Sequence, residues 1–477
     1  MRGLLATVIG SALTSALALA QPLPAEFEAA LQRARVPRDA VAVLVVDAAG
    51  RAPARLSHRA GVPLNPASVM KLVTSYAALD TLGPAYSWTT PVYVEGAVRQ
   101  GTLYGNLYIK GQGDPKLVVE RLWLLLRRVQ GLGVRSIAGD IVLDRSAFET
   151  VEQDPAEFDG EPLRPYNAAP DALLLNFKSV VMTFVPDHTA NTAQVAFEPP
   201  LAGVQMQSSV PLSGGECNDY RATLKPDFSD SARIRFAGSY PASCGEKVWS
   251  VAYADPKRYA LRAVEGMWRE IGGELTGTVR EGQVPAPGGV PPKPAFELSS
   301  PTLGEVVRDI NKYSNNVMAQ QLFLTLSLPL RGEGQAGAPG VATQAASREF
   351  LSRWWQARIG GDAPVLDNGS GLSRKERISA GALARLLQVA YRSPQMPELM
   401  ASLPITGIDG TLRRARVKAA GSAYLKSGSL RDVTALAGYV HAQSGKRYVL
   451  VAIVNHPNAN AARPAMDALI DWATKDN

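Results

Sequence analysis

The chain has 477 residues, of which 46% are hydrophobic and 19% charged, and a formal net charge of +7. That balance excludes a disordered or fibrous chain, supplies a sizeable core and suggests two or three domains. Its basic residues are scattered, as in "LRRV" and "LRRAR", with no aromatic-basic stripe, so no nucleic-acid partner is expected. The excess positive charge suits an anionic setting such as a cell wall or a membrane surface.

Met1-Arg2 gives a short positive start, Leu4 to Leu17 is apolar and small, and Ala18-Leu19-Ala20 fits a small-x-small cleavage site. Residues 1–20 are therefore expected to be a secretory signal peptide cleaved near Ala20, which places the mature protein in the periplasm. The alternative is an N-terminal anchor, for which the apolar run is short.

Residues 22–36 carry a helical pattern, "AVAVLVVDAAG" (40–50) a buried strand, and "ARLSHRA" (54–60) its hairpin partner. In "NPASVMKLVTSYAAL" (65–79), Asn65 and Pro66 predict a helix start, and Gly83-Pro84 ends the helix after Leu82. Ser68 and Lys71, three residues apart, share one face of an otherwise apolar helix. Beyond it, "TPVYVEGAVRQGTLYGNLYIKG" (90–111) alternates like a hairpin, "PKLVVERLWLLLRRVQGLG" (115–133) is helical, and "IAGDIVLDRSAF" (137–148) reads as strand and turn. From about 190 to 295 the pattern is one of many short strands, ending in the Pro/Gly-rich linker 281–295. Helical spacing returns on both sides of "YSNN" (313–316) and again over 342–358 and 379–392. "AYLKSGSL" (423–430), "TALAGYVHAQ" (434–443) and "RYVLVAIVNH" (447–456) are three successive strands expected to pair antiparallel, followed by a closing helix over 462–475. Residues 21–87 and 298–477 thus predict one α/β domain, an antiparallel sheet flanked by helices. Residues 88–297 form an insertion with two smaller β-rich domains, divided near 170–180.

Cys217 and Cys244 are the two cysteines, and in an exported chain an even pair suggests one disulfide, with two free thiols as the alternative. His58, His188, His441 and His456 show no metal spacing, and there is no G-x-S-x-G elbow or P-loop, so neither metal nor cofactor is expected.

Three short elements remain: Ser68-x-x-Lys71, Ser314-Asn315-Asn316, and Lys426-Ser427-Gly428. Singly each has a bland reading, as a small residue near a helix start, a turn, and a strand end. In this order, and each on the element type it needs, they match the set of penicillin-binding proteins and serine β-lactamases. Ser68 is a weak nucleophile until Lys71 takes its proton, which requires a lysine depressed by burial and by positive charge from Lys426 and the helix N-terminus. Ser314 can relay a proton to the leaving amine, Asn316 can hold Lys71 and the substrate amide, and Lys426 offers a positive charge to an anionic substrate. Ser427 adds a hydroxyl, and the backbone N–H groups of Ser68 and Ser429 are the simplest oxyanion hole.

With these motifs, "LYIKGQGDPKL" (107–117), "GDIVLDRSAF" (139–148), "YNAAPDALLLNF" (166–177), "DNGSGLSR" (367–374) and "LPITGIDGTLRRAR" (403–416) make the whole mature chain resemble one family. It is similar to the class C low-molecular-mass penicillin-binding proteins, the D-alanyl-D-alanine carboxypeptidase/endopeptidase family. The resemblance implies a penicillin-recognising, serine β-lactamase-like transpeptidase domain with two inserted domains. It implies hydrolysis of D-Ala-D-Ala termini and D-Ala-diaminopimelate cross-links of peptidoglycan stem peptides through an acyl-enzyme on Ser68, and acylation by β-lactams. It further implies substrate binding by Ser427, Gly428 and Ser429 and recognition of the substrate side chain by Asp144, Phe148 and Arg374. Association into homo-oligomers and peripheral contact with wall or membrane are also features of such proteins. Ser427 stands where threonine is usual; the hydroxyl is kept. Two other readings stay open: a serine β-lactamase, against which stand the long insertion and the absence of an E-x-x-L-N-like segment, and a non-catalytic wall-binding protein.

Overall fold

The computed structural model describes residues 22–150, 152–287, 290, 292–328 and 340–476; the expected signal peptide lies outside the described residues. The two ends of the chain meet in one sheet. Its five strands run Leu56–His58, Val41–Asp47, Arg447–Asn455, Val433–His441, Ala423–Leu430, and every neighbouring pair is antiparallel. Alternating side chains divide between the faces. Val41, Val43, Val45, Leu450 and Val454 pack under the helices Ala25–Arg33 and Arg463–Thr474. Ala42, Leu44, Ala435, Val449, Val451 and Ile453 pack under Lys71–Leu82, Leu303–Tyr313, Asn316–Thr325 and Ala380–Tyr391. With both faces covered, Val433–His441 is buried along nearly its whole length.

The Ser68 segment begins differently from the pattern in the sequence. Ala67–Met70 is a single 3-10 turn, and the α-helix proper starts at Lys71 and runs to Leu82. Asn65 does act at this end, its Oδ1 accepting the Ala67 N–H at 2.9 Å. Ala67 itself has φ +48°, a conformation costly for a side chain with a Cβ, so the backbone is bent where Ser68 is presented.

The stretch expected to be one hairpin is folded twice. Thr89–Val94 pairs with Leu107–Lys110, whereas the tip, Ala97–Arg99 with Thr102–Tyr104, belongs to a second sheet. The fold line runs through Gly96 and Gly105, where an added Cβ would come within 2.1 Å of Tyr104 O and 1.8 Å of Glu95 O. The first of these sheets is completed by Ile141–Asp144, Val279–Glu281 and Phe296–Ser299. A further five-stranded sheet is made by Tyr240–Pro241, Ser209–Ser213, Thr192–Glu198, Ser179–Asp187 and Lys247–Ala252. One apolar core joins these sheets to the helices Val119–Gly131 and Pro256–Glu270.

Pro256–Glu270 lies in the stretch read as short strands, and that reading is corrected here. Its start signals were present: Asp255 accepts the Arg258 N–H and Pro256 occupies the first turn. Tyr259, Ala263, Val264, Met267 and Trp268 give it a buried face at helical spacing. Cys217 and Cys244 are joined in a disulfide. Among the described residues no helix is long and apolar enough to cross a membrane.

Candidate active site

Lys71 is completely buried at the start of its helix, and its Nζ meets three oxygens. Ser68 Oγ is 3.0 Å away, Asn316 Oδ1 2.5 Å, and the Ser370 carbonyl completes the set. Burial holds the Lys71 amine well below the ordinary lysine range; the charge of Lys426 lowers it further, and Glu376 opposes both.

Ser314 and Asn316 reach this point because the chain breaks between two helices. Ser314 ends Leu303–Tyr313 with φ +58°, and Asn315 caps Asn316–Thr325 by accepting the Met318 N–H at 3.0 Å. The left-handed residue turns the chain sharply, so Ser314 Oγ takes a hydrogen bond from Lys426 Nζ at 3.0 Å while Asn316 points to Lys71.

Lys426 is also fully buried and also donates to the Ser427 carbonyl at 2.8 Å. Burial pushes its amine down to about 7. Its strand, Ala423–Leu430, is the sheet edge. His441 donates to the Ser422 carbonyl across the ladder, so alternation turns the N–H and C=O of Ser427 and Ser429 away from the partner strand. Gly428 lets this edge close on Ser68: a Cβ there would lie 2.4 Å from Pro66 O and 3.1 Å from Ser68 N. The Ser427 hydroxyl is 2.6 Å from that of Thr411.

Ser68 opens into a cavity of about 980 Å³, bordered by Ser314, Asn316, Arg374 and Ser429 and, from the inserted region, by Phe158, Asp159 and Tyr166. Arg374 pairs with Asp432 at 2.6 Å and lies over the Phe158 ring at 4.9 Å. Asp159 is held by the Tyr166 hydroxyl and the Asn167 amide, each donating at 2.8 Å, which keeps its carboxyl below the usual range despite partial burial.

Two expected binding residues do not border this cavity. Asp144 is buried at its strand end, accepting the Ser146 and Val284 N–H groups at 2.9 Å, with Lys110 3.6 Å away. Phe148 is packed with Ala172, Leu324 and Ala342, against Gly113. Both are taken up by local packing, and among the described residues the inserted region first borders the cavity at Phe158-Asp159. The sequence carried no mark for that later stretch beyond an aromatic beside an acid in a loop.

Glu376 was also not singled out. It is fully buried, and its Oε1 accepts the backbone N–H groups of Asp367, Asn368 and Gly369 at 3.2, 3.3 and 3.0 Å. Burial lifts its carboxyl to about 7. Among the described residues no group of His, Cys, Asp or Glu could hold a metal ion.

Together these groups offer a nucleophilic hydroxyl, a desolvated amine beside it, a second hydroxyl on a second amine, and an open strand edge. This is acyl-transfer chemistry without a histidine. Residues 23–476 match the D-Ala-D-Ala carboxypeptidase 3 (S13) family. A D-alanyl-D-alanine carboxypeptidase of an Actinomadura species is 29% identical over 433 residues, 87% of this chain and 77% of the relative. The D-alanyl-D-alanine carboxypeptidase DacB of Haemophilus influenzae is 25% identical over 395 residues, 82% and 80% of the two chains. The crystal structure of penicillin-binding protein 4 from Haemophilus influenzae superposes with a TM-score of 0.71 at 21% identity, covering 94% of this chain and 99% of that one. The same protein complexed with a β-lactam gives a TM-score of 0.67, covering 93% and 99%.

Proposed function

The chain belongs to the D-Ala-D-Ala carboxypeptidase 3 (S13) family, and from that membership we infer how its own residues divide the work of a serine DD-peptidase. It is a serine-type D-Ala-D-Ala carboxypeptidase acting on peptidoglycan. The observation that carries the assignment of Ser68 and Lys71 is the set of partners around Lys71 Nζ. An ammonium has three protons for the three oxygens. A neutral amine has two protons and a lone pair. The Asn316 and Ser370 oxygens are carbonyl acceptors and cannot donate, so they keep those two protons. The lone pair is then left for the Ser68 hydroxyl, the one partner that can donate.

The Ser68 proton passes to neutral Lys71 as Oγ bonds to the carbonyl carbon of the penultimate D-Ala. The oxyanion is received by the backbone N–H groups of Ser68 and Ser429. The C–N bond then breaks, the departing amine takes by way of the Ser314 hydroxyl the proton that Lys71 had accepted, and a neutral Lys71 and an ester on Ser68 remain. Water attacks that ester and gives its proton to Lys71, which returns it to Ser68 Oγ as the shortened peptide leaves. The sum is hydrolysis of one peptide bond. Lys426 supplies the positive field for the terminal carboxylate, and Ser427 with Thr411 a pair of hydroxyls for it. The edge at Gly428 and Ser429 pairs with the extended peptide.

Asp159 and Arg374, which both border the cavity, suit a substrate side chain ending in an amine and a carboxylate, as in diaminopimelate cross-links. The β-lactam complex of the Haemophilus relative supports acylation of Ser68 by β-lactams here. The disulfide favours an exported, periplasmic protein facing the wall.

The test is digestion of purified peptidoglycan with mass analysis of the products. Wild type is expected to release D-alanine from pentapeptides and to open cross-links, and Ser68→Ala to do neither. Absence of both activities in wild type would refute this reading. Rapid turnover of labelled penicillin, in place of a lasting adduct on Ser68, would favour the β-lactamase reading.

A further inference from the structure

Behind Lys71 lies a second buried ionisable group that the reaction above does not use. Glu376 reaches back to the loop 367–371, where its Oε1 gathers three successive backbone N–H groups. Its Oε2 is buried without a hydrogen-bond partner among the described residues. That loop is pressed against the nucleophile. The Gly369 carbonyl accepts from Thr74 Oγ1 at 2.7 Å, and the Ser370 carbonyl accepts from Lys71 Nζ. An added Cβ on Gly371, which has φ +80°, would lie 2.0 Å from Ala67 O and 2.6 Å from Ser68 N.

We propose that Glu376 is a positioning residue for the acylation of Ser68: its Oε1 fixes the loop whose Ser370 carbonyl orients Lys71. The proposal rests on Lys71 being the base. The orienting role follows from the partners of Lys71. If the Ser370 carbonyl drifts, one amine proton loses its acceptor and the lone pair is no longer directed at Ser68. The titratable groups facing Glu376 are Lys71 on the nucleophile helix and Asp367 on the loop. Arg377 turns its guanidinium to the carbonyls of Arg374 and Glu376.

A role in packing alone and a role in orienting Lys71 through the loop differ in which atom matters. Glu376→Ala removes the acceptor of the three N–H groups, and Glu376→Gln restores an oxygen for them without the charge. The measurement is the second-order rate constant for acylation by fluorescent penicillin at about pH 7, beside the urea midpoint of each protein. Acylation of Glu376→Ala should fall about tenfold, and Glu376→Gln should recover most of the wild-type rate. Glu376→Asp, which withdraws the carboxylate from the loop, should fall with Glu376→Ala. A Glu376→Ala protein acylated at the wild-type rate overturns the proposal, as does a Glu376→Gln protein that falls as far as Glu376→Ala. Should Glu376→Ala fail to fold by circular dichroism, Glu376→Gln against Glu376→Asp decides alone. A wild-type protein that penicillin does not acylate refutes the DD-peptidase reading itself, a result distinct from an unrescued rate.

Discussion

Lys426 and Lys71 are both fully buried, and the charge of Lys426 lowers the proton affinity of Lys71. In the proposed mechanism one lysine therefore prepares the other: the first acts as a cation and the second as a free amine. Burial disfavours the cation in both, so the pair works only within a limited range of pH.

Lys71→Arg keeps the positive charge and much of the length but cannot serve as a base near neutral pH. Acylation of Ser68 by labelled penicillin, followed on a gel, should fall at least about a thousandfold, as for Ser68→Ala. An adduct that forms at a comparable rate in Lys71→Arg would remove Lys71 from the base role.

The pH dependence follows from the two amines. kcat/KM for a D-Ala-D-Ala peptide should rise as Lys71 loses its proton, at a pH well below the ordinary lysine value, and fall as Lys426 loses its own, near 7 in the free enzyme. A bound carboxylate stabilises the Lys426 cation, so the basic limb of kcat should lie above that of kcat/KM. A kcat/KM that climbs steadily to about pH 10 would contradict a required Lys426 cation.

Lys426 should also limit stability. Its amine sits at about 7 in the folded protein and near the usual value of about 10.4 when unfolded. Between those values the unfolded chain binds more protons, so stability rises with pH; below about 7 the full penalty is present. At about pH 7.5 the penalty is roughly 4 kcal/mol. Lys426→Met should thus be inactive yet more resistant to urea at neutral pH, with a gain that shrinks towards about pH 10. A destabilised Lys426→Met protein would mean that the bonds to Ser314 and Ser427 outweigh the burial of the amine.

Arg374 and Asp159 should separate wall peptides from penicillin. Arg374→Ala removes the pair with Asp432 and the stack on Phe158, and Asp159→Asn removes a carboxylate at the cavity wall. Either change should raise KM about tenfold for a peptide carrying a free amine and carboxylate on its side chain. Acylation by benzylpenicillin, which lacks that side chain, should fall less. Equal losses for both ligands would deny the two residues a part in selection.

Much of the sheet and helices built from the two ends of the chain was legible because their signals are local and periodic. The apolar runs of Val41–Asp47, Val433–His441 and Arg447–Asn455 marked buried strands, the short turns between the C-terminal strands gave their antiparallel pairing, and the interruption at Tyr313-Ser314 gave a helix break that the structure realises with φ +58° at Ser314. Less legible was Pro256–Glu270, whose capping residues lay among Pro- and Gly-rich neighbours that read as turns. The double fold at Gly96 and Gly105 escaped as well, because alternation tells which face a side chain occupies and not which strand it pairs with.

The sequence by itself determined which groups could do chemistry here: a serine one turn from a lysine, a second serine beside an asparagine, a lysine on a strand, and their order along the chain. Tertiary structure alone decided which of them act on one another. Asp144 and Phe148, beside a strand the sequence marked well, were drawn into local packing, whereas Asp159 and Glu376 arrived at the site from loops without a pattern. The proton affinities of Lys71, Lys426 and Glu376 belong to the same class. They are set by how much water each group loses and which charge it then faces, and both are properties of packed neighbours distant along the chain.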